Sequence, residues 1–127
     1  MNSLFINISN HPSSKWDAKQ INAALEMSNN GPIIDMSFPN IDPCMTSNDV
    51  IDLADDYFTK VNNLIDEYEA DYVVFHVMGE MTFTFNLVKL LNENGYHCYA
   101  STTKRLVVED NNGTKISKFE FIQFREY

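Results

Sequence analysis

The sequence is short of several things, and each shortage narrows what the chain can be. It has two cysteines, Cys44 and Cys98, far apart and with neither a CxxC pair nor a Cys/His spacing suited to zinc. Ordinary thiols in a reducing compartment are expected, rather than a disulfide-stapled fold. Three scattered histidines complete no ligand set, so no metal is expected, and no cofactor. Basic residues are few, nine Lys and Arg against eighteen Asp and Glu, for a formal net charge of -9. That balance argues against a broad basic face gripping long nucleic acid or an anionic membrane. No apolar run approaches the roughly 20 residues that span a bilayer, and the early apolar stretch Leu4 to Ile8 follows no positive region. The cytoplasm is the expected location, without a membrane partner. Also missing are a GxGxxG fingerprint, a Walker loop and a nucleophile elbow.

What remains is enough for a packed core. The chain has 127 residues, 44% hydrophobic and 13% aromatic, which fits one domain over 1–127 and offsets the entropy of folding. Leu4 to Ser9 reads as a strand running into the polar turn Asn10-His11-Pro12-Ser13-Ser14. Asp17 is a plausible N-cap for a helix that Asn29-Asn30-Gly31 stops. Pro32 to Phe38 is a second strand, followed by a proline-stiffened loop over Pro39 to Pro43. From about Ser47, Val50, Leu53, Ala54, Tyr57, Phe58, Val61, Leu64 and Ile65 recur at helical spacing, with carboxylates on the other face.

Tyr72 to Met78 is the most continuous β-like run, as expected for a strand covered on both faces. Gly79 to Thr82 leads into a helical segment from Phe83 to Leu91 that Asn94-Gly95 stops. Tyr96 to Ser101 forms a fourth strand, and Leu106 to Val108 pairs with Ile116 to Phe124 through Asp110-Asn111-Asn112-Gly113. The order βαβαβαβ plus hairpin predicts an α/β, Rossmann-like three-layer domain with a mainly parallel sheet and a C-terminal antiparallel β-hairpin.

Ligands of open parallel sheets bind beyond the carboxyl ends of the strands. Those ends are Ser9, Asn10 and His11; Asn40 and Asp42; Gly79, Glu80, Met81 and Thr82; and Ser101, Thr102, Thr103, Lys104 and Arg105. The last run is expected as a loop whose three hydroxyls and two cations suit phosphate oxygens. Gly79 either permits a positive φ or lets a ligand approach backbone donors, to which Glu80 adds a repelling charge. His11 sits where an imidazole could move a proton. His76 and His97, placed within strands, read as structural, and Trp16 as packing over a helix start.

The opening Leu4-Phe5-Ile6-Asn7-Ile8-Ser9-Asn10-His11-Pro12, followed by Lys19-Gln20 and a helix, resembles the start of small CRISPR-associated accessory proteins related to CARF domains. Met78 to Phe85 and Ser101 to Arg105 look like the ligand-side loops of that group. The resemblance implies a stand-alone ring nuclease that binds cyclic oligoadenylate, usually the tetramer, as a homodimer. It implies metal-independent attack of a ribose 2′-hydroxyl on the adjacent phosphate, which switches off type III CRISPR signalling. On that footing His11 is the acid, Lys104 and Arg105 stabilise charge, and Ser101, Thr102 and Thr103 position phosphate. Asn10 holds ribose, and Ser9, Gly79, Glu80, Met81 and Thr82 line the ligand, with backbone donors from the turn.

Three other readings stay open on the sequence alone. A module of the same fold could hold the ring without cutting it. An acidic interaction protein could imitate nucleic acid through its second helix. An enzyme could act on another nucleotide or phosphorylated metabolite.

Overall fold

The computed structural model describes residues 2–127; of the domain expected over 1–127, Met1 lies outside the described residues. Strand β1 spans Ser3–Ser9, helix α1 Ala18–Met27, β2 Ile33–Ser37, α2 Ser47–Glu67, β3 Tyr72–Met78, α3 Met81–Glu93, β4 His97–Glu109 and β5 Lys115–Glu126. One turn of 3-10 helix, Ser13–Lys15, lies inside the polar turn after β1. The five strands form one sheet in the order β2-β1-β3-β4-β5. β2, β1, β3 and the start of β4 run parallel, and β4 and β5 pair antiparallel. The α/β architecture with its closing hairpin is the expected one.

The helices form where the local chemistry directs them. Asp17 caps α1 by accepting from the N–H of Gln20, at 2.9 Å. Thr46 and Asp49 make a reciprocal capping box at the start of α2, each side chain taking the other's backbone N–H. Period two along β1 sends Leu4, Ile6 and Ile8 to one face, where they join Val73, Phe75 and Val77 of β3 under α2 and α3. Phe5 and Val74 point to the opposite face and pack with Ala24 of α1, Trp16 and Phe124. Each such side chain, fully buried, is worth about 1.5–3 kcal/mol of transfer free energy. The apolar load lies on both sheet faces, which leaves the strand ends free for polar groups.

The segment Ser101 to Arg105 differs from expectation: it is strand, not loop, because β4 continues unbroken from His97 to Glu109. Its hydroxyls and cations have a loop's composition, but its two threonines are β-branched and fit an extended chain. The partner β5 then supplies the ladder, pairing Ser101 with Phe124, Thr103 with Phe121 and Arg105 with Phe119 around a bulge next to Thr102. The last helix also starts earlier than expected, at Met81, with Glu80 as N-cap.

Candidate functional site

In a 2-1-3-4-5 sheet the chain steps one way from β1 to β2 and then back past β1 to β3, so the crossovers leave a crevice beyond the ends of β1 and β3. A cleft of about 570 Å³ opens there, on the α1 side of the sheet. Ser9, Asn10 and His11 line it from the end of β1, Gly79 from the end of β3, and Ser101 and Thr103 from β4. Lys15, Trp16, Gln20, His76, Met78 and Phe119 complete its walls. Six of the residues singled out in the sequence are thus brought around one space.

The others lie elsewhere. Met81 and Thr82 form the first turn of α3, and the Glu80 carboxylate accepts from the N–H groups of Thr82 and Phe83, both at 2.9 Å. Those hydrogen bonds hold the Glu80 carboxyl below its usual range. The turn's backbone donors, expected to face a ligand, are therefore engaged by the protein's own anion. Thr102 donates to the carbonyl of Gln123, at 3.2 Å. Alternation puts Lys104 on the sheet face opposite Ser101 and Thr103. Arg105 shares their face but lies further along the ribbon, where it donates to the Ser117 hydroxyl at 3.0 and 3.2 Å.

Gly79 has no positive φ, a property kept by Gly95 and Gly113. Its lack of a Cβ is needed because the ring of Phe38 lies 2.4 Å from where that atom would sit.

Beneath the cleft the register builds a polar row that the sequence does not announce. Asp35 of β2, Asn7 of β1 and His76 of β3 stand side by side on one face. Asn7 donates its amide to Asp35 Oδ1 at 2.8 Å and to the His11 carbonyl at 3.0 Å. Asp35 also accepts from the Ser13 N–H and hydroxyl, at 3.0 and 2.9 Å. The His11 carbonyl lies 3.1 Å from the Ser9 hydroxyl and takes the Trp16 indole N–H at 3.1 Å. Several donors converging on one carbonyl fix the loop that carries the exposed His11 imidazole. Ser9, expected at the ligand, spends its hydroxyl within this network, 2.8 Å from Asn7 Oδ1.

His76 ends the row. Its Nδ1 is 2.8 Å from Asn7 Oδ1, and its ring lies edge-on to Trp16 and Phe124, with centroids 5.6 and 5.3 Å away. Burial, with the nearby His11 charge second, lowers its pKa to about 4. The site can therefore offer hydroxyls, the exposed imidazole of His11, the neutral imidazole of His76, one cation on Lys15, and the aromatic surfaces of Trp16 and Phe119. Of these, Lys15, Gln20 and His76 went unrecognised; the signal that would have found His76 is its register with Asn7.

A second recess of about 660 Å³ adjoins the cleft, sharing Met78 and Gly79 with it and lined further by Met81, Phe85 and Val88. Met81 and Phe85 are 83% and 67% exposed, an unusual state for large apolar side chains on one helix face. Among the described residues, no three His, Cys, Asp or Glu side chains converge so as to hold a metal ion, and no helix is long and apolar enough to cross a membrane.

No curated protein matches the chain. Among solved structures, Enterococcus italicus Csm6 bound to cyclic hexa-2'-fluoro-hexa-dAMP aligns at 11% identity with a TM-score of 0.41, over 79% of this chain and 33% of that one. The chain thus spans about a third of the length of that protein. The model of the uncharacterized protein MJ1673 family matches residues 3–125, nearly the whole chain, and the protein therefore belongs to the MJ1673 family.

Proposed function

We propose that this protein binds cyclic oligoadenylate, the tetramer foremost, in the strand-end cleft, and opens the ring by metal-independent attack of a ribose 2′-hydroxyl on the adjacent phosphate. The observation that carries the reading is the convergence of Asn10, His11, Ser101 and Thr103 with two aromatic walls at the switch point of the sheet. The resemblance of the chain's opening to CARF-related ring nucleases supports it. Cleavage needs the attacking oxygen held in line, the charged phosphorane stabilised and the leaving 5′-oxygen protonated. His11, exposed on a fixed loop, supplies the proton. Ser101 and Thr103 hold phosphate oxygens, and Asn10 holds ribose. Lys15 supplies the cation that lines the cleft, with Arg105 further along β4. Trp16 and Phe119 offer faces to adenine.

A cleft of this size suits one small ligand, and a ring of several nucleotides extends past it. Two copies meeting through the apolar face beside Met78 would set two clefts next to each other, matching a symmetric ring. A homodimer is part of the reading for that reason, as is action on type III CRISPR signalling in the cytoplasm.

The test is incubation with cyclic tri-, tetra- and hexa-adenylate in EDTA, with products resolved by chromatography and mass. Linear fragments ending in a 2′,3′-cyclic phosphate are expected from one ring. His11→Ala is expected to lower turnover about 100-fold or more, the usual worth of a positioned general acid, while binding persists. Saturable binding without conversion would assign a sequestering module instead, a reading favoured by the engagement of the α3 N–H groups with Glu80. No binding of any ring would overturn the proposal.

A further inference from the structure

Asn7 settles the state of His76. Its amide nitrogen donates to two acceptors, Asp35 Oδ1 and the His11 carbonyl, so its oxygen must be the atom facing the imidazole. An amide oxygen only accepts, and His76 Nδ1 must therefore carry the hydrogen. Nε2 is left as a bare lone pair. It is buried and has no hydrogen-bond partner among the described residues, in a ring that lines the cleft and is 2% exposed. A buried acceptor left unpaired is destabilising, and a ligand donor would relieve it. The low pKa keeps this lone pair free of a proton at neutral pH.

We infer that His76 Nε2 is a substrate-positioning acceptor that takes a hydrogen bond from a ribose 2′-hydroxyl of the bound ring. The inference rests on the function proposed above and adds a residue and a ligand group to it. The hydroxyl is the favoured donor because His76 lines the same cleft as Asn10, the residue assigned to ribose. For the hydroxyl to reach Nε2 the Trp16 indole, which stands edge-on to the imidazole and donates to the His11 carbonyl, must shift aside. Trp16 is the single tryptophan of the chain, so its emission reports ligand entry directly.

Two measurements test this on the whole protein. The first needs no ligand: nitrogen NMR of the histidine rings at pH 7 is expected to show His76 protonated at Nδ1 and bare at Nε2. The opposite tautomer overturns the inference whatever the protein binds. The second compares cyclic tetra-adenylate with its 2′-deoxy analogue by Trp16 fluorescence titration. The wild-type protein is expected to favour the ribose ring roughly 3- to 10-fold, the worth of one neutral hydrogen bond. In His76→Phe the ratio is expected to fall to about one. That variant keeps the ring volume against Trp16 and Phe124, and Asn7 Oδ1 keeps the Ser9 hydroxyl. Equal wild-type affinity for both rings, or a preference unchanged in His76→Phe, sinks the positioning role while leaving ring binding intact. If the wild-type protein binds neither ring, the proposed function fails, and the ligand assignment fails with it.

Discussion

At the scale of single residues, His76 couples folding to pH as well as facing the cleft. Its pKa is about 4 in the folded chain against 6.5 for the free side chain, so between those values the unfolded chain binds more protons. Stability is therefore full above about pH 6.5 and falls as the pH drops toward 4. The loss for this one group is on the order of 3 kcal/mol. The Glu80 carboxylate, also held below its usual range, pulls the same way under more acid conditions. Urea unfolding at pH 7 and pH 4.5 should show the loss, and in His76→Phe the difference between the two should shrink by most of that amount. An unchanged difference would mean that His76 is not the group responsible.

At the scale of elements, the start of α3 shows how a local rule is met by an unexpected residue. Glutamate is a less common N-cap than serine or aspartate, yet Glu80 closes both early N–H groups and holds the Thr82 hydroxyl, at 2.7 and 2.8 Å. Glu80→Ala should cost about 0.5–2 kcal/mol in thermal or chemical unfolding. Glu80→Gln, which keeps one acceptor oxygen, should lose less.

The helices α1 and α2 and strand β3 were readable because their signals are local: a capped apolar stripe, a longer apolar stripe from about Ser47 and an unbroken apolar run. The Ser101 to Arg105 segment misled because side-chain polarity suggested a loop while its pairing with β5 lies some 20 residues away in the chain. The cleft's rim was legible as strand-end polar residues. Its floor was not, since Asp35 and His76 stand 28 and 69 positions from Asn7, and only strand register brings them together. The positions of Lys104 and Arg105 depended in turn on knowing that β4 does not stop at Ser101.

At the scale of the whole molecule, the carboxylates and the apolar groups have separate surfaces. Asp49, Asp52, Asp55, Asp56, Asp66 and Glu67 are exposed along α2, while Met81 and Phe85 stand on α3 near the cleft. If two copies meet on the α3 face, a charge placed there should part them. Phe85→Glu is expected to convert a dimer in sedimentation to a monomer and to weaken ring binding, without loss of helix content. A monomeric wild-type protein would remove the dimer from the proposal and leave the single cleft.

The two margins of the sheet bear on the same question. On one side β2 is five residues long and stands between Pro32 and Pro39. On the other, β5 is a twelve-residue edge carrying Lys115, Lys118, Glu120, Arg125 and Glu126. Brevity and proline blunt the first margin, and fixed charge blunts the second. Short β2 offers little backbone for strand-on-strand growth, whereas β5, with Ile116, Phe119 and Ile122 exposed between its charges, relies on those charges alone to keep a second strand from adding to the sheet.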